Sequence, residues 1–239
     1  GVQTCALPIC QALPPSTMLS DYYATYIERD VRQLINLRHQ HELGVFIRLL
    51  AGRTGQLLNQ NSLGNDVGVS SNTITQWMSV VESSYVAFTL QPWHANINTR
   101  LVKSPKIFFY DVGLACWLLG IHTPEQLRHH PLRGALFENL VVLELLKSLR
   151  NQGSAEQLYF FRNHNGVEAD VLLVRSDGVH LFEIKATQTI NESLFKGLRM
   201  VSEYVGDQVA SKHLIYGGDQ TQTRRLGRVT PFEQSGALV

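Results

Sequence analysis

Val167-Glu168-Ala169-Asp170-Val171-Leu172-Leu173-Val174 and Val179-His180-Leu181-Phe182-Glu183-Ile184-Lys185 decide how this chain is read. Both runs are short and rich in β-branched and aromatic residues, so both are predicted strands. Side chains on a strand alternate faces with period two. Glu168 and Asp170 therefore share a face of the first run, and Glu183 and Lys185 share a face of the second. The remaining positions are mostly apolar. A buried charge is costly unless it is paired or bound to a cation. These residues thus point to ion pairing or to a cation site. Glu138 lies upstream in a helical run, Gly134–Arg150, among Leu136, Phe137, Leu140 and Val141, and can look onto the same point.

Carboxylates from three elements and one lysine suit a hard divalent cation such as Mg²⁺, which takes oxygen ligands and keeps several waters. Such an ion stabilises charge on a phosphodiester and helps to form a hydroxide nucleophile. In this arrangement Asp170 and Glu183 are the principal ligands and Glu138 supports the metal through water. Lys185 orients the water or stabilises the developing oxyanion.

Outward from these strands, Leu158–Arg162 reads as a third strand and Glu192–Val205 as a helix. His213–Tyr216 reads as a strand, with an edge strand near Arg228–Phe232. The order αβββαβ over 134–239 is that of a mixed α/β domain. Gly120–Arg133 reads as a polar connector after a short helix, Asp111–Leu119. Residues 21–133 form the other predicted domain. Apolar residues recur at helical spacing from Asp21 to Arg53. Ser62–Val67 reads as a short helix and Gly68-Val69-Ser70 as a turn. Ser71 is the expected N-cap of a helix to about Ser84, with Ile74, Trp77, Met78 and Val81 inward. This is a helix-turn-helix pattern. Tyr85–Leu90 and Lys106–Tyr110 are predicted strands that complete a winged helix. The loop between them carries Arg100, Lys103 and Lys106.

Nucleic-acid contact is expected from Arg100, Lys103 and Lys106 on phosphates and from Thr73 and Gln76 on bases. The competing reading is a three-helix packing core, since the second helix carries no Lys or Arg and one acid, Glu82. Glu28, Arg29 and Asp30 read as helix surface charges. His129 and His130 are adjacent and point apart, so they do not make a metal pair. Trp77, Trp93 and Trp117 read as packing residues.

Composition bounds the rest. The chain has 239 residues, 44% hydrophobic and 17% charged, with a formal net charge of +1. A strongly basic nucleic-acid coat is excluded, and any nucleic-acid contact must be local. No run approaches 18 apolar residues without a charge, so no membrane span is expected. Two of the three cysteines, Cys5 and Cys10, lie in the first twenty residues. That stretch contains Pro8, Pro14 and Pro15, has no charge before Asp21, and begins like a translated sequencing adapter. Residues 1–20 are therefore set aside as a library scar or linker. Cys116 alone remains, which fits a reducing, cytoplasmic setting.

Asp170 followed by Glu183-Ile184-Lys185, after a helix with Glu138, resembles the PD-(D/E)XK nuclease superfamily. Further stretches are Tyr26-Ile27-Glu28-Arg29-Asp30-Val31, Gly55-Gln56-Leu57-Leu58-Asn59, Arg100-Leu101-Val102-Lys103-Ser104-Pro105-Lys106, Asp111-Val112-Gly113-Leu114-Ala115 and Phe137-Glu138-Asn139-Leu140-Val141. With Glu168-Ala169-Asp170, they make Asp21 to Phe232 similar to the C-terminal region of prokaryotic AAA-type ATPases known as domain of unknown function 4143. The resemblance implies a winged-helix part followed by a restriction-endonuclease-like part. It also implies an upstream P-loop ATPase domain as partner. ATP would bind only in that missing domain, because no Gly here is followed by Lys. Two departures stand out: Ala169 replaces both the superfamily's Pro before the Asp and the family's Val. Gly64 stands where a small helix former is common. Two functions remain open: Mg²⁺-dependent DNA cleavage, or a non-catalytic module that binds nucleic acid or protein and reports to the ATPase.

Overall fold

The computed structural model describes residues 14–31, 40–93 and 102–239. It is a mixed α/β structure with a helical N-terminal part and an eight-stranded mixed sheet. The described residues divide into two compact units. The first holds residues up to Thr54, Asn59–Phe88 and Phe109–His130, and the second holds Gly55–Leu58, Thr89–Phe108 and Pro131–Val239.

In the first unit, α1 (Pro15–Tyr22) continues as a π-helical stretch, Tyr23–Val31. α2 (Gln40–Ala51), α3 (Gln60–Val67) and α4 (Ser71–Ser83) follow. Phe46, Ile47 and Leu50 of α2 are buried with Ile74, Trp77, Met78 and Val81 of α4. The Phe46 and Trp77 rings meet edge to face at 5.4 Å. The inward face of α4 is thus the one its spacing predicts. Its cap is one residue earlier than expected: the Ser70 hydroxyl, not that of Ser71, accepts the Thr73 N–H. Gly68, at φ +85°, ends α3 and donates its N–H to the Gly64 carbonyl. Gly64 is also explained here. A Cβ on it would lie 2.7 Å from the Val69 carbonyl oxygen, so the tight turn excludes alanine.

α5 (Val112–Leu118) is capped by Asp111, whose carboxylate accepts the Leu114 N–H. The expected connector after it contains a further helix, α6 (Pro124–His129). Its start is a capping box between Thr123 and Gln126 with Pro124 in the first turn.

The sheet order is β2 (Lys106–Phe109), β1 (Ala87–Pro92), β3 (Leu158–Arg162), β4 (Glu168–Arg175), β5 (Gly178–Lys185), β6 (Val209–Tyr216), β8 (Gly227–Pro231) and β7 (Gln222–Arg224). β3, β4 and β5 are antiparallel neighbours, and β6 joins β5 in parallel. β1 and β2, expected as a wing, are the first two strands of this sheet. β1 pairs in parallel with β3, Gln91 opposite Tyr159, and the Trp93 N–H continues the ladder to the Phe160 carbonyl at 2.7 Å. By that pairing Thr89–Phe108 group with the second unit. β8, expected at the sheet edge, is covered by β7.

α7 (Arg133–Asn151) buries Leu136, Val141, Val142, Leu145 and Leu149. α8 (Lys196–Val205) places Leu198, Val201 and Val205 against Leu172, Leu181 and Leu214 of the sheet. Burying each such aliphatic side chain contributes about 1.5–3 kcal/mol. Among the described residues, no helix is long and apolar enough to cross a membrane.

Candidate functional site: an acidic cluster with two lysines

β4 and β5 pair with Val171 opposite Phe182, which sets Asp170 beside the end of β5. Asp170 Oδ2 accepts the Ile184 N–H at 2.8 Å. Lys185 Nζ lies 2.7 Å from Glu183 Oε1 and 3.4 Å from Asp170 Oδ2. The predicted Asp170, Glu183 and Lys185 are therefore brought together. Their exposure differs: the Glu183 side chain is 9% exposed and that of Lys185 36%. Glu183 Oε2 is buried and has no hydrogen-bond partner. A Cβ on Gly197 would lie 2.6 Å from that oxygen and 2.6 Å from the Glu168 carbonyl. Only glycine lets the first turn of α8 approach so closely.

Glu138 joins a second group. Lys106 Nζ donates to Glu138 Oε1 at 2.8 Å and pairs with Glu168 Oε1 at 2.5 Å. It also stands 5.4 Å from the centre of the Phe160 ring. Arg162 reaches the other oxygen of Glu168 at 3.4 Å. Gly55, at φ +74°, brings the backbone against Glu138, where a Cβ would meet Oε2 at 3.4 Å. Its N–H is bonded to the Ile107 carbonyl. Lys106 is thus not a loop residue aimed at phosphate. It opens strand β2 and its side chain is 3% exposed, because two carboxylates draw it inward.

Asp170 links the two groups, since its charge acts on Lys106, Glu138, Glu183 and Lys185. Burial pushes the Glu183 carboxyl up to about 8, the Asp170 charge adds to this, and Lys185 opposes it. Burial likewise raises Glu138 to about 7 against the pull of Lys106. For both lysines burial works against the ammonium, but the surrounding carboxylates outweigh it and hold the pKa above the ordinary lysine value. Four carboxylates and two lysines sum to −2 when all are ionised. Among the described residues, no group of three or more His, Cys, Asp or Glu side chains is set to hold a metal ion.

The expected nucleic-acid residues fall elsewhere. Lys103 is exposed in the loop before β2, and Arg100 lies outside the described residues. Gln76 is exposed on α4. The Thr73 hydroxyl is 2.8 Å from that of Ser70, at the cap of α4. The side chains of Glu28, Arg29 and Asp30 lie outside the description. Gly55 and Gly197 are additions to the expected site, Glu168 takes part as an ion-pair partner and not as an expected metal ligand, and Lys106 has another role than the phosphate contact expected of it. Glu168 was signalled by its place two residues before Asp170. Lys106 was signalled by the apolar Ile107-Phe108-Phe109 that follows it.

Comparison with known families divides the chain once, between residues 125 and 133. Residues 133–234 match the family model described as Domain of unknown function (DUF4143), and residues 11–125 match Domain of unknown function (DUF8612). The expected resemblance to the first family therefore holds for the C-terminal part, while the N-terminal part matches a second family. The uncharacterized protein Rv2008c of Mycobacterium tuberculosis is 31% identical over 198 residues, covering 83% of this chain. The uncharacterized protein Mb2031c of Mycobacterium bovis matches to the same extent. The chain spans 43% of the length of these relatives. Protein VC1899 of Vibrio cholerae, a solved structure, is 12% identical. The match covers 94% of this chain and 53% of that one at a TM-score of 0.30, too low to equate the folds.

Proposed function

We propose that the second unit is a nuclease-like module in which Asp170 and Glu183 hold a divalent cation for cleavage of a phosphodiester, with DNA as substrate. The observation that carries this reading is the convergence of Asp170, Glu183 and Lys185 from two paired strands, with Lys185 the most exposed of the three. Mg²⁺ is commonly bound by one or two carboxylates, with waters and substrate phosphate completing its shell. A two-carboxylate site fits that donor set, and Glu183 Oε2 is an acceptor left without a hydrogen bond. When bound, the ion supplies Lewis acidity and an acidified water. Lys185, kept protonated by its carboxylate neighbours, donates to a phosphate oxygen or orients a water; it does not act as a base. Glu138 stands behind Lys106 and supports the cluster electrostatically. Lys103, with Arg100, is the proposed phosphate contact, and Thr73 and Gln76 of the helix-turn-helix pair the proposed base contacts.

The DUF4143 match also supports a place in a longer, AAA-type ATP-binding protein, since that domain is often C-terminal in such proteins. ATP use is assigned to that other part. The test is incubation of the full chain with linear DNA and Mg²⁺ or Mn²⁺. Glu183→Ala and Lys185→Ala should each lower cleavage by about 10²–10³-fold or more. Equal cleavage by parent and variants removes the catalytic reading. A non-catalytic binding module is the second reading, favoured by the lysines that already pair with one oxygen of each of the four carboxylates. Cation-independent DNA binding without cleavage, weakened by Lys103→Ala, is its signature.

A further inference from the structure

The two lysines of the cluster are not equivalent, and the difference bears on how many cations the site takes. Lys185 bridges Asp170 and Glu183 with its side chain 36% exposed. It can swing toward water and hand those oxygens to an incoming ion. Lys106 bridges Glu138 and Glu168 with its side chain 3% exposed. Its ammonium faces carboxylate oxygens at 2.8 and 2.5 Å and the Phe160 ring at 5.4 Å. Withdrawing it would leave the largely buried Glu138 with no countercharge and facing Glu168, whose remaining partner is Arg162, an unfavourable state. Arg162 on the far oxygen of Glu168 and the backbone at Gly55 beside Glu138 Oε2 further fix the pair.

Resting on the cation reading above, we propose that Lys106 is a built-in cation: its ammonium fills the position between Glu138 and Glu168 that a second divalent ion would take, so the site binds one divalent ion, at Asp170 and Glu183. Lys106 is thereby a positioning residue. It keeps Glu138 and Glu168 paired with each other and withdrawn from the ion that Asp170 and Glu183 hold.

The test counts Mn²⁺ ions bound by the full chain, by electron paramagnetic resonance of free Mn²⁺ and by calorimetry. The parent should bind one ion, lost in Asp170→Asn. Lys106→Met should bind two, and Lys106→Arg, which keeps the charge, should bind one. In Asp170→Asn/Lys106→Met the newly opened position should remain. A parent that binds two ions overturns the inference and leaves the cation reading standing. A parent that binds none while Lys106→Met binds one does the reverse. An unchanged count in folded Lys106→Met overturns the inference. If Lys106→Met does not fold in chelator, recovery of its circular dichroism on adding Mn²⁺ supports the inference, and failure to recover overturns it.

Discussion

Strands β5 and β6 carry two polar arrays on opposite faces, and the two solve burial differently. On one face Glu183 and Lys185 belong to the charged cluster: they pair with each other, and Lys185 also reaches Asp170 of β4. On the other, His180, Ser211 and His213 form a row held by hydrogen-bond direction. His180 Nε2 is 3.0 Å from Asp177 Oδ1. A carboxylate only accepts, so that nitrogen carries the proton. In a neutral His180, Nδ1 then accepts from the Ser211 hydroxyl at 2.7 Å. Ser211 Oγ in turn accepts from His213 Nε2–H at 2.8 Å. This leaves His213 Nδ1 unprotonated, and that atom is indeed buried without a partner. The imidazole stacks on Phe182 at 5.1 Å. The comparison teaches that the same strand can hold polar groups in two ways: by countercharge on the Glu183 face and by hydrogen-bond direction on the His213 face.

The charged array should break hardest. Lys106→Met leaves Glu138 without its partner and Glu168 with Arg162 alone, and should destabilise the cation-free chain by about 3–5 kcal/mol in chemical denaturation. A loss under about 1 kcal/mol would show that the carboxylates take up protons and need no lysine. Gly197→Ala sharpens the same point sterically. Its Cβ meets the Glu168 carbonyl and Glu183 Oε2, both at 2.6 Å. It should cost about 1–3 kcal/mol, and it should lower cation affinity because Glu183 must move. Ala at Gly134, where nothing lies within 4 Å, is the control.

These sites differ in how far the sequence disclosed them. The alternation of Glu168 with Asp170 and of Glu183 with Lys185 is local, and strand period alone reveals it. The inward face of α4 was equally visible, from Ile74, Trp77, Met78 and Val81. Lys106 was misplaced because its partners sit 32 residues away at Glu138 and further still at Glu168. Only the joining of β1 to β3 brings β2, the edge strand that Lys106 opens, into the same sheet as β4. The same holds for the supposed wing. Gly197 gave no sign, because its requirement comes from strand atoms distant in sequence, the Glu168 carbonyl and the Glu183 carboxylate. The histidine row was unreadable for a similar reason: His180 and Ser211 become neighbours only through the register of β5 on β6.

The neutral array makes the smaller prediction, and it turns on pH. Burial pushes His213 down to about 4, with His180 and the Arg228 guanidinium acting in the same direction. Its ordinary value is about 6.5. Between these values the unfolded chain binds a proton that the folded chain refuses, so stability rises with pH across that window. The contribution is complete above about 6.5 and is lost as pH falls toward about 4. Because the ring is only partly buried, the effect is discounted to about 1–2 kcal/mol. His213→Phe, which keeps the stacking on Phe182, should remove that component of the slope in urea unfolding measured from pH 7 to pH 4. Carboxylates in the cluster also titrate in acid, so the readout is the difference between parent and variant. A parent and variant with parallel profiles would mean that His213 accepts its proton inside the fold. That proton would sit on Nδ1, while Nε2–H goes on donating to Ser211.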